Sequence, residues 1–240
     1  MMWNQYPQEQ VAAQVKQSLF VRTMNYTALW TVLYGIFVAL LIGTGLDRVF
    51  GNPIVSLILV FMVMGASFFI RDPINASKAA LAAYGVFTSF ALAAVSSLLI
   101  HYVAYYKSSI LIAALVTTFL ISGATILAAR TVKISEDKSQ AIVKFLIIVG
   151  IAAFIASIVN LFLKSGIFGL IIAIIFLIWS VAALFITINQ LDQIEALVGD
   201  NPEILDKLAL WESVGVFIMF YNIFISLLEI LLSLMGSNEE

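Results

Sequence analysis

The sequence predicts an all-α integral membrane protein with seven transmembrane helices. Two observations carry that class. Hydrophobic residues make up 62% of the 240 and charged ones only 11%, more apolar surface than a soluble core of this length can hide. The apolar residues also arrive in blocks of about 20, enough to cross a hydrocarbon layer of roughly 30 Å at about 1.5 Å per residue.

Taken in order, residues 1–25, MMWNQYPQEQVAAQVKQSLFVRTMN, are too polar for the apolar stretch of a cleaved signal peptide and read as a cytoplasmic N-terminal tail. Val11, Val15 and Leu19 recur there at helical spacing beside Gln14, Lys16 and Gln17, which fits a short amphipathic surface helix; a flexible tail fits equally. The transmembrane domain then occupies 26–236, with spans near 27–46, 54–70, 79–100, 109–129, 142–163, 167–188 and 213–235. Breakers mark the gaps: Gly51-Asn52-Pro53, Arg71-Asp72-Pro73 and the tight Lys164-Ser165-Gly166 turn. The one long connection is 189–212, and 237–240 form a short acidic tail.

Orientation follows from the basic residues. With the N-terminus in the cytoplasm, that side holds Lys16, Arg22, Arg71, Lys78, Arg130, Lys133, Lys138, Lys144 and Lys207, nine of the twelve. The far side holds Arg48, Lys107 and Lys164. An odd number of spans then puts the C-terminus outside.

The chain has no cysteine, which excludes disulfides, thiolate metal sites and a thiol nucleophile. No phosphate-cradling loop, dinucleotide fingerprint or HExxH is present, so no catalytic residue, cofactor or nucleic-acid partner is expected, and the residues specify no metal-ligand set. The single histidine, His101, ends the third span among Tyr102, Tyr105 and Tyr106, a placement that suits an interfacial aromatic belt. An intramembrane Ser–His pair would need Ser122 to face it, and Ser122-Gly123 also reads as ordinary helix packing.

The informative residues are polar ones at membrane depth. Asn222, Ser226, Glu229 and Ser233 follow at spacings of four, three and four, one stripe on the last helix. A stripe of that kind faces protein or water, and an ionisable group in a span marks function by default. Glu229 also lies about 10 Å along the helix from Gly236, within reach of the outer interface, so snorkelling stays open. Asn222 is deeper and suits a hydrogen bond to another helix. The connection after the sixth span carries Asp192, Glu195, Asp200, Glu203, Asp206 and Glu212 against Lys207. It reads either as a solvated surface helix opened by Asn201-Pro202 or as a cation-attracting or partner-binding gate centred on Gln190, Asp192 and Glu195.

Seven spans, "NQLDQI" at 189–194, "YNIFISLLEIL" at 221–231 and "IVNLFL" at 158–163 with the short turn after it resemble the Bax inhibitor-1 family, in particular its bacterial YccA-like branch. The resemblance covers the chain from about residue 24 in hydropathy, and the last 80 or so residues in motif. It implies a bacterial inner-membrane protein whose last helix is central. In the family a pair of aspartates is thought to act as a proton-sensitive latch on a calcium leak; the matching positions here are Gln190 and Met219, which have no carboxylate to share a proton. The YccA-like branch instead implies binding to the membrane-bound AAA protease FtsH and restraint of its activity. The expected function is therefore modulation of a membrane protease complex, with a calcium leak lined by Asn160, Asn222, Ser226 and Glu229 as the alternative. The bilayer is the partner common to both.

Overall fold

The computed structural model describes residues 18–236 apart from 71, 164 and 200. Residues 1–17 of the expected tail, Lys16 among them, the acidic terminus 237–240, Arg71, Lys164 and Asp200 lie outside the described residues. Eight helices are formed: α1 (Leu19–Thr44), α2 (Asp47–Phe50), α3 (Pro53–Phe69), α4 (Lys78–Tyr106), α5 (Ser108–Thr131), α6 (Glu136–Leu163), α7 (Gly166–Val198) and α8 (Pro202–Gly236). No strand occurs among the described residues.

Local chemistry sets the boundaries. Ser18, Asn52, Ser77 and Ser165 each accept a backbone N–H of the first helical turn, from Val21, Ile54, Ala80 and Phe168. Pro53 sits in the first turn of α3, where a missing N–H costs nothing. Gly199 closes α7 at φ +72°, a backbone angle that a side chain resists. Asn201 then opens α8, its side-chain oxygen accepting from Glu203 and Ile204 at 3.0 and 3.3 Å.

Three expectations change here. Six helices are long and apolar enough to cross a membrane; α3, with 17 residues, is a shorter apolar helix, so the expected count of seven is met in part. The 189–212 connection is also nearly all helix, because α7 runs on to Val198 and α8 starts at Pro202. Likewise α1 begins at Leu19, so the last residues assigned to the tail belong to the first helix. Hydropathy marks where lipid ends, and these helices continue past that level.

Helix α8 is central, packed against α1, α4, α5 and α7, while α6 leans mainly on α7 and α3 on α4. The seam between α1 and α8 is dense. Trp30, 2% exposed, donates its indole N–H to Ser213 Oγ at 2.8 Å, and Thr27 donates to the Ser213 carbonyl at 3.3 Å. Farther along, Tyr34 shares a hydrogen bond with Ser96 of α4 at 2.8 Å and meets the Tyr221 ring edge-on at 5.7 Å. Lipid supplies no hydrophobic drive to hold helices together, so such interhelical hydrogen bonds and close packing carry the association. Helix α6 is attached through Leu146, Ala183 and Ile186, with Trp179 of α7 donating to the Leu146 carbonyl at 2.7 Å.

Candidate functional site

The two ends of the bundle differ in chemistry. At the end where α1 begins, called the N-face below, acidic side chains of α7 and α8 join the other helices. Asp192 accepts from Arg130 in the last turn of α5 at 2.9 Å and from Lys133, just beyond that helix, at 2.6 Å. Glu195 accepts the first free N–H of α1, from Leu19, at 2.8 Å. Asp206 of α8 gathers Lys78 at 2.7 Å, the Tyr26 hydroxyl at 2.9 Å and Arg22 at 3.5 Å, tying α4 and α1 to the central helix. Asn189 donates to the carbonyls of Ala129 and Val132 and accepts from Ile134, which fixes the turn after α5.

The gate residues of the sequence reading are therefore all engaged. Gln190 donates to Ser139 Oγ of α6 at 2.8 Å, whereas Asp192, on the same unbroken helix, faces Arg130 and Lys133. Two residues turn a helix by about 200°, so Asp192 does not replace a carboxylate at position 190. Met219 of α8 packs its apolar side chain against the Leu146, Ala183 and Ile186 cluster of α6 and α7.

The far end opens where α6 turns into α7. Asn160 Oδ1 accepts the Ser165 N–H at 3.2 Å, so the asparagine of "IVNLFL" fastens the turn. A side chain at Gly169 would bring its Cβ within 3.1 Å of Asn160 Nδ2, which is why a glycine fits beneath it. Between this turn and α8 lies an open cleft of about 500 Å3 whose polar lining is Asn160, Ser165, Glu229 and Ser233. Glu229 is exposed in the cleft wall. Its carboxylate has no hydrogen bond or ion pair among the described residues.

The stripe on α8 is thus divided by depth. Glu229 and Ser233 reach the cleft together with Asn160 from another helix, while Ser226 is buried at 4% exposure and Asn222 is half-buried below the cleft. Among the described residues no three His, Asp or Glu side chains form a group that could hold a metal ion. Ser122 is buried in α5, and His101 pairs with Asp47 through Nδ1 at 2.6 Å, so the Ser–His pair does not form. Asp206 and Asp47 were passed over as sites in the sequence. Their partners lie far away along the chain, and no local pattern announces them.

A family model described as Bax1-I, inhibitor of apoptosis-promoting Bax1, matches residues 16–238. No curated protein matches the chain. The match takes in every described helix, from the clasped N-face to the Asn160–Glu229 cleft, and the chain belongs to the Bax inhibitor-1 family.

Proposed function

We propose that the chain is a gated pathway for small cations, calcium among them, in its closed state. The observation that carries this reading is the meeting of Asn160, Ser233 and the unpaired Glu229 carboxylate at an open cleft, on helices that the sequence separates by more than sixty residues. Glu229 attracts the cation at the far mouth, and Asn160 and the serines supply neutral oxygens in place of water. Below the cleft the buried Ser226 and the packed Met219 close the way between α7 and α8. Opening requires those helices to part, and the Asp192 and Glu195 contacts at the N-face resist it. The test is calcium flux into vesicles reconstituted with the full chain. Glu229→Gln is expected to lower the flux several-fold; no flux between about pH 5 and 8, or none of it sensitive to Glu229→Gln, refutes the reading.

The protease-modulator reading rests on the branch resemblance and on residues 1–17, which lie outside the described residues. Co-purification of the chain with a membrane-bound AAA protease supports it, and a clean detergent extract free of protease counts against it.

A further inference from the structure

The pair formed by His101 and Asp47 lies in a second cleft at the far face, away from Glu229, and the cation pathway makes no use of it. This cleft, of about 340 Å3, is lined by Asp47, Arg48, Leu98, His101, Tyr102, Tyr105 and Tyr106. A Cβ on Gly51 would come within 2.4 Å of Leu98, so the end of α2 lies directly against α4. Asp47 is 1% exposed, holds His101 Nδ1 through Oδ2 at 2.6 Å, and leaves Oδ1 buried without a hydrogen-bond partner among the described residues. With Nδ1 turned to Asp47, the half of the imidazole that carries Nε2 is its exposed part.

The groups presented at the surface of this cleft include several hydrogen-bond donors. They are the exposed Arg48 guanidinium, the outer edge of His101 and the hydroxyls of three exposed tyrosines. Tyr106 packs against Tyr102 and Tyr105 at centroid distances of 5.1 and 4.7 Å, which gives the cleft an apolar wall with polar tips at the end of a membrane helix. The one carboxylate present sits behind the imidazole and orients it.

We propose that this cleft binds a phosphate ester at the far membrane surface, with Arg48 and His101 Nε2 as its contacts to the anion and Asp47 as the positioning residue. Arginine suits phosphate through paired N–H donors, and the tyrosine wall suits the glycerol and first chain carbons of a phospholipid. A water-soluble phosphate ester offers the same anion without the chains.

The test uses the full chain in detergent, with thermal unfolding followed while phosphatidylglycerol, diacylglycerol or glycerol 3-phosphate is added. Phosphatidylglycerol is expected to raise the unfolding temperature and diacylglycerol, which lacks the phosphate, to leave it unchanged. Arg48→Gln and His101→Gln are each expected to weaken the apparent affinity about tenfold. A response to glycerol 3-phosphate that the same substitutions abolish supports the site and identifies a soluble ester. No response to either phosphate, an equal response to diacylglycerol, or unchanged binding by Arg48→Gln overturns the proposal. Arg48 is exposed, so its replacement leaves the fold intact and keeps the test decisive even if His101→Gln unfolds the protein.

Discussion

Single side chains decide how tightly the helices meet. A Cβ at Gly85 would lie 2.5 Å from the Trp30 ring, and Trp30 cannot retreat because its indole N–H is fixed on Ser213. Gly85→Ala is expected to cost about 1–3 kcal/mol, as overpacking does, and to lower the unfolding temperature in detergent. An unchanged unfolding temperature would mean that the α1–α4 contact is looser than described. Asp206 has the opposite role: one carboxylate satisfies Lys78, Tyr26 and Arg22 while only 20% exposed. Asp206→Ala removes the acceptor that Lys78, Tyr26 and Arg22 share, and we expect a loss of about 1–3 kcal/mol, discounted for partial solvation. The membrane-depth residues Asn160 and Glu229 were legible in the sequence because polarity inside an apolar block stands out by itself. Asp47 was not, because "GLDRVFGNP" reads as a turn and the histidine that the aspartate holds lies 54 residues away.

At the level of elements, each long helix overlaps a span expected from hydropathy, but most ends moved outward. The expected spans near 167–188 and 213–235 became α7 and α8, which reach Val198 and begin at Pro202. Their polar turns satisfy the backbone as well as apolar ones do, and hydropathy alone does not distinguish a helix emerging into water from a loop. Residues 199–201 separate the two helices, with Gly199 contributing its left-handed angle and Asn201 its cap. Gly199→Ala is expected to destabilise by about 1 kcal/mol through strain at φ +72°. A gain in helical stability from that substitution, measured by hydrogen exchange across 195–205, would contradict the assigned turn.

The whole molecule is a bundle around α8, closed by charge at one face and open at the other. Asp192, Glu195 and Asp206 make the acidic stretch a clasp in this structure: each contacts α1, α4 or α5. The charge excess in the sequence was visible; its partners depend on which helix ends meet, and that is set by the packing of all the helices. The Asp192 pairs are exposed enough that Asp192→Asn should cost under about 1 kcal/mol of stability. If the clasp restrains opening, the same substitution raises calcium flux a few-fold; a fall in flux would make Asp192 part of the path rather than its restraint. The central claim is that the far cleft is wet and sealed beneath. Because the chain has no cysteine, a thiol introduced singly by Ser233→Cys, Glu229→Cys or Met219→Cys reports its own surroundings. Labelling from the far side with a charged, membrane-impermeant thiol reagent should modify positions 233 and 229 quickly and position 219 hardly at all. Equal labelling at all three would remove the seal, and no labelling at 229 would place Glu229 in lipid and contradict the account.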